Sequence, residues 1–171
     1  MLRDVRTKAG GSALAALDLA LLRAARTAGH TPERERTVRW FTRSGEHGLV
    51  WMAVGLVGGR LDRRRRRAWR RAAGTVLLAY VVNQLVKLAV PRERPQLPGL
   101  PPLVEVGSRR TFPSAHATTS FAGARAYTRL GVPAAPLYAL AAALAASRVW
   151  LGVHHPSDVV AGAALGTVIA S

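Results

Sequence analysis

Arg148 to Asp158 places a guanidinium, two imidazoles and a carboxylate where one apolar segment ends and the next begins. Such a set can hold an anion and do chemistry beside it. Arginine binds phosphate bidentately. A neutral imidazole can attack as a nucleophile or, once protonated, give its proton to a leaving group. A carboxylate on the second ring nitrogen fixes the tautomer. A polar connector with solvated charges would account for one histidine and one aspartate. It does not account for Arg148, which lies inside the apolar segment six residues before His154, because an ionisable group at membrane depth is costly without a task.

Two other stretches carry the same chemistry. Lys87 to Pro95 contributes Lys87 and Arg94, and Pro113 to His116 contributes Ser114, Ala115 and His116. Taken singly each has a plain structural reading: Lys87 as a snorkelling residue at a helix end, Arg94 as a solvated loop residue, Ser114 as a helix N-cap. Spacing alone does not say which histidine attacks. Read together, the stretches give K-x6-R-P, P-S-x-H and S-R-x5-H-x3-D, in that order. This pattern resembles the type-2 phosphatidic acid phosphatase superfamily, the membrane lipid phosphatases related to vanadium haloperoxidases and bacterial acid phosphatases. The resemblance covers roughly residues 45–171.

The resemblance implies roles. His154 is the nucleophile that forms a phosphohistidine, Asp158 orients it, and His116 is the general acid on the leaving oxygen. Lys87, Arg94, Ser114, Ala115 and Arg148 bind the phosphate. Ala115 departs from the family's usual glycine, so the ligand approaches that amide more tightly. His155 stands where the family often has an aromatic residue and reads as a helix-entry residue. Glu46 and His47 are expected near the same face, and Arg109 and Arg110 either hold a second phosphate or are solvated. No cofactor is implied. The three cations supply the neutralisation a metal gives elsewhere, and the carboxylates are too few and scattered for a dedicated metal cage.

Composition sets the environment. The chain has 171 residues, 49% of them hydrophobic, yet carries a net charge of +16. Those values conflict in a soluble protein unless the charges are segregated. They are: Arg60, Arg63 to Arg67, Arg70 and Arg71 crowd one loop between apolar runs. This is the positive-inside pattern of a membrane protein. Nucleic-acid binding, the usual first thought for so basic a chain, fits poorly because no aromatic-rich reading surface accompanies the arginines. Without cysteine there is no disulfide or thiolate site.

The elements that must position the motifs follow from periodicity and breakers. Residues 12–28 read as a retained helix with Ser12 as N-cap, its apolar face interrupted by Asp18 and Arg23, spanning or lying on the membrane. Residues 33–43 are amphipathic and basic. The apolar run 48–59 is short for a span, so its helix is expected to start near Ser44. Residues 72–90 form the clearest span, about 28 Å long as a helix. Residues 91–112 carry Pro91, Pro95, Pro98, Pro101 and Pro102 and are expected to form a loop shaping the mouth of the site. Helices then follow over about 115–130, 134–152 and 157–171. With the arginine loop in the cytoplasm, all three motifs reach the opposite face.

The expectation is an all-α integral membrane bundle of about five to six helices with its site at one membrane face. It is a single domain over 1–171, with an N-terminal basic region at 1–43 and a core at 44–171. The bacterial inner membrane is the expected location, multi-pass, with the site extracytoplasmic. The resemblance implies hydrolysis of a lipid phosphate or diphosphate: an isoprenoid such as undecaprenyl diphosphate or decaprenylphosphoryl phosphoribose, or else phosphatidylglycerol phosphate or phosphatidic acid. A non-catalytic membrane protein that binds anionic lipid would also carry such an arginine loop. Vanadate-dependent halide oxidation would use the same residues, but it needs a larger soluble scaffold.

Overall fold

The computed structural model describes residues 2–171, with side chains from residue 13 onward. Seven α-helices follow in order: α1 (Leu2–Thr27), α2 (Pro32–Ser44), α3 (Leu49–Leu61), α4 (Arg66–Ala89), α5 (Ala115–Thr128), α6 (Ala134–Trp150) and α7 (Pro156–Ile169). No strand forms among the described residues; one isolated bridge pairs Glu93 with Arg110.

Local chemistry sets most of the boundaries. Thr31 caps α2 by accepting the Arg34 N–H, with Pro32 in the first turn, where its missing donor costs nothing. Pro156 does the same for α7. Two expected starts are corrected. Ser12 is not an N-cap, because α1 begins at Leu2 and runs through it. The helix of residues 48–59 does not reach back to Ser44. A short 3-10 turn at Glu46–Gly48 intervenes, with His47 at φ 52° and Gly48 at φ 76°. Those left-handed values end any helical continuation.

α5 is the central helix. α4, α6 and α7 pack around it, and small residues line its surface: Ala117, Thr118, Ser120, Ala122, Gly123 and Ala124 are all buried. α7 approaches most closely. A Cβ added at Gly162 would stand 2.6 Å from the Ser114 carbonyl oxygen, and one at Gly166 would overlap the Thr118 carbonyl. A glycine every fourth residue is what lets two backbones approach this far.

The interior divides into two halves. Around Trp51, Trp69, Val76, Tyr127, Leu137 and Leu144 it is apolar. Toward the other end of α4 it is polar: Asn83, Lys87, Thr111, Ser114, Thr118, His116, Arg148, His154 and Asp158 are buried. Meanwhile Leu77, Leu78, Val81, Leu85 and Leu88 of α4 are exposed. Leaving a leucine side chain in water forfeits about 1.5–3 kcal/mol, so an outward leucine face on a polar interior suits a lipid surround. Among the described residues one helix, Arg63–Ala89 with its entry turn, is long and apolar enough to cross a membrane; α6 and α7 are apolar but shorter.

Candidate active site

The arginines expected in one loop lie instead at the end of α3 (Arg60), in a short 3-10 turn (Arg63–Arg65) and in the first turns of α4 (Arg66, Arg67, Arg70 and Arg71). α4 runs from this arginine cluster to Lys87, and its final turn starts the site. Lys87 is buried, and its ammonium donates to the Thr111 carbonyl at 3.1 Å. Arg110 fastens that helix end by donating to the carbonyls of Lys87 and Leu88. This gives Arg110 a structural task in place of the second phosphate or the solvated state expected for it.

The loop after α4 turns Arg94 inward. Its Nε donates to the Ser108 carbonyl at 2.7 Å and its Nη1 to the Val153 carbonyl at 2.6 Å, which leaves Nη1 3.4 Å from His154 Nε2. Desolvation pulls the Arg94 pKa below its ordinary value, though an arginine keeps its charge through such a shift. Arg148, in the last turn of α6, is 5% exposed. Its Nη1 donates to Thr42 Oγ1 at 3.0 Å, while its Nε has no partner.

α5 begins at the site. Ser114 holds the N-cap position, yet its side chain caps nothing. Its hydroxyl is buried without a partner, so capping does not explain this serine. The first-turn N–H groups of α5 stay open to an anion. His116 Nε2 lies 3.0 Å from the Thr42 carbonyl. A carbonyl only accepts, so Nε2 carries the proton and the neutral ring has its lone pair on Nδ1.

His154 sits in the turn between α6 and α7. Its Nδ1 is 2.9 Å from Thr111 Oγ1, whose own hydroxyl donates to Asp158 Oδ2 at 2.7 Å. The hydroxyl has one proton and the carboxylate can only accept it, so Nδ1–H must donate to Oγ1. The lone pair of His154 is thereby placed on Nε2, beside Arg94. Asp158 Oδ2 is also 3.5 Å from Nδ1, so the carboxylate pairs with the imidazole as expected, and Thr111 adds a shorter bridge between the two. Burial chiefly, with Arg94, Lys87 and Arg148 nearby, pushes the His154 pKa down to about 3 against the pull of Asp158. The ring is neutral at ordinary pH.

Asp158 is further fixed by the His155 N–H at 2.8 Å and Arg92 Nη1 at 2.7 Å. Arg92 reaches across to α1, where its Nη2 meets Asp18 Oδ2 at 2.7 Å. Asp18 also accepts the Ser157 N–H at 2.9 Å. What reads in sequence as an interruption of an apolar helix is therefore its anchor to the site. Thr111, Arg92, Asp18 and Thr42 escaped sequence reasoning. Asp18 had a signal, a lone carboxylate in an apolar run; the others had none.

Lys87, Arg94, Ala115, His116, Arg148 and His154 line one cavity of 450 Å³, with Glu46, His47 and Glu105 at its wall. Ser114 and Asp158 are fully buried behind it. His47 sits edge-on to Tyr80, ring centres 5.5 Å apart. Arg109 faces a neighbouring pocket that Arg94 also lines. His155 occupies the N-cap position of α7. Such a cavity can surround a phosphate with three cations and open amides while an imidazole lone pair faces its phosphorus.

The family model of the PAP2 superfamily matches residues 68–171, the stretch holding all three motifs. The chain belongs to the PAP2 superfamily. Curated relatives agree. The decaprenylphosphoryl-5-phosphoribose phosphatase of Mycobacterium tuberculosis is 39% identical over 134 residues, 78% of this chain and 75% of its own length. The enzyme of that name from Mycolicibacterium smegmatis is 40% identical over 119 residues, 69% of this chain and 65% of its own. The crystal structure of the transmembrane PAP2-type phosphatidylglycerolphosphate phosphatase of Bacillus subtilis superposes with a TM-score of 0.74 at 23% identity, covering 92% of this chain and 83% of that one. LpxE of Aquifex aeolicus superposes with a TM-score of 0.72 at 23% identity, covering 90% and 92%. At that identity the likeness is one of fold. Within this PAP2 chain, Ala115 of the P-S-x-H motif lines the cavity.

Proposed function

We propose that this PAP2 chain is a membrane lipid phosphatase that removes the terminal phosphate of an isoprenoid-linked phosphoribose. What supports the chemistry is that His154, its Nδ1–H held by Thr111, lines one cavity with Lys87, Arg94 and Arg148. The substrate follows from the relatives named decaprenylphosphoryl-5-phosphoribose phosphatase.

His154 Nε2 attacks phosphorus and the P–O bond to the leaving alcohol breaks. His116, held through Nε2–H by the Thr42 carbonyl, acts as the imidazolium: its Nδ1, neutral in the free protein, takes up a proton with the phosphate anion bound beside it and gives that proton to the leaving oxygen. Water then attacks the phosphohistidine, losing a proton to His116, and His154 is released with inorganic phosphate. Lys87, Arg94 and Arg148 neutralise the oxygens in both steps, where most of the rate enhancement in phosphoryl transfer arises. Thr111 and Asp158 hold the proton on Nδ1 as the ring becomes cationic. Ser114 and the first-turn amides of α5 complete the anion cradle. The protein crosses the bacterial inner membrane several times. Its arginine cluster lies in the cytoplasm by the positive-inside tendency, so the cavity, at the opposite end of α4, opens outside.

Phosphate release from decaprenylphosphoryl-5-phosphoribose by purified protein in detergent tests this reading. Wild type releases phosphate, with EDTA present. His154→Ala lowers turnover by roughly a thousandfold or more. Equal release by both would sink the nucleophile.

A further inference from the structure

The catalytic cavity does not end at Arg148. A second cavity of 320 Å³ adjoins it, and Arg148, Glu46 and Glu105 line both. Arg39 and Arg43 of α2 line the second cavity and not the first; with Glu35, Arg36 and Trp40 they also line a further groove along α2. The first cavity thus holds Lys87, Arg94 and Arg148, the second holds Arg39 and Arg43, and Glu46 and Glu105 are common to both.

Two carboxylates in such a wall are unusual for this chain. Acids are scarce, nine against 25 lysines and arginines. Glu46 and Glu105 nonetheless have no ion-pair partner among the described residues. Arg148, the member of the cation ring that lines both cavities with them, is 5% exposed and keeps a buried Nε with no partner. The wall is thus a built polar surface with unused donor and acceptor capacity, next to a site for a phosphate.

Carboxylates repel a second phosphate placed directly beside the first. They accept hydrogen bonds from hydroxyls. Arg39 and Arg43 lie one helical turn apart; Arg39 Nη2 already holds Glu35 at 3.0 Å, and its remaining donors with those of Arg43 suit another phosphate. Arg43 is stacked 4.8 Å over the ring of Trp40, and Trp40 is 66% exposed. An exposed tryptophan among arginines on an amphipathic helix suits the headgroup layer of a membrane, where a lipid tail would leave.

We infer that Glu46 and Glu105 form a hydroxyl-recognising subsite, and Arg39 and Arg43 a second-phosphate subsite, that together select a substrate in which a sugar separates two phosphates. This rests on the function proposed above and gives it a specificity device: a lipid diphosphate, with no polyol between its phosphates, meets the carboxylates instead.

Full-length protein in detergent, with kcat/KM measured for decaprenylphosphoryl-5-phosphoribose and for decaprenyl diphosphate, tests the inference. Glu46→Gln/Glu105→Gln lowers the ratio of the first to the second by about tenfold or more. Arg39→Ala/Arg43→Ala lowers kcat/KM for the phosphoribosyl lipid chiefly through KM. Thermal unfolding of each variant verifies the fold. A ratio that moves less than about twofold in folded carboxamide variants overturns the subsite and leaves the phosphatase reading standing. A wild type that cleaves the diphosphate but not the phosphoribosyl lipid overturns both the substrate and the subsite.

Discussion

Thr111 Oγ1 lies 2.9 Å from His154 Nδ1 and donates its own hydrogen bond to Asp158 Oδ2 at 2.7 Å. The imidazole tautomer is therefore set by a hydroxyl relay. Thr111→Val removes the near acceptor and leaves Nδ1–H only the longer contact to Asp158 at 3.5 Å, a loss of about 1–3 kcal/mol. Turnover should fall roughly 10- to 100-fold with KM little changed, while Thr111→Ser should keep most of it. Equal loss in both variants would show that the methyl group, not the hydroxyl, matters.

Protonation of His154 should not limit the enzyme in acid. An unshifted histidine would be only about 3% neutral at pH 5, and its phosphorylation would slow roughly thirtyfold between pH 8 and pH 5. With the pKa pushed down to about 3, the ring stays neutral across that range. Single-turnover phosphohistidine formation should therefore not fall toward pH 5. An acid limb with a midpoint near that of a free histidine would contradict the buried, cation-flanked setting.

The Asp18–Arg92–Asp158 chain ties α1 to the site. Asp18→Ala leaves the Ser157 N–H and one arm of Arg92 without their acceptor. Breaking a buried pair costs about 3–5 kcal/mol; with Arg92 30% exposed, about 2 kcal/mol is expected. A lowered melting temperature in detergent and a several-fold drop in turnover should occur together. An unaltered melting temperature would show that the network contributes no net stability.

Two glycines should respond in opposite ways. Gly166→Leu drives a side chain into the Thr118 carbonyl of α5 and should abolish the folded, monodisperse protein. Gly74→Ala, in α4 with no atom within 4 Å of the added Cβ, should be neutral or stabilise by about 0.5–1 kcal/mol. Size-exclusion profiles of the two variants provide the comparison.

The helices from α4 onward were legible because each rests on a local signal: an apolar run of spanning length, a proline-rich break after Ala89, Pro133 before α6 and Pro156 in the first turn of α7. Lys87, Arg94, His116, Arg148 and His154 were legible as a set through type and spacing, and tertiary folding draws them around one cavity. The start of α3 was less so, since an apolar pattern does not reveal that His47 and Gly48 adopt left-handed backbone angles.

Which chemical groups are present, in what order, and that helices carry them to one end of a basic, apolar chain are all written in the sequence. Local interactions and helical periodicity run along the chain, so they can be read from it. Which groups touch was settled by packing. Thr111 enters between His154 and Asp158 because Lys87 and Arg92 hold its backbone, through its carbonyl and its N–H. Asp18 reaches Ser157 across 139 positions of chain. Glu105 joins Glu46 at the cavity wall by the path of a proline-rich loop. Hydrogen bonds of that span depend on how whole helices pack, and no pattern of neighbouring residues encodes them.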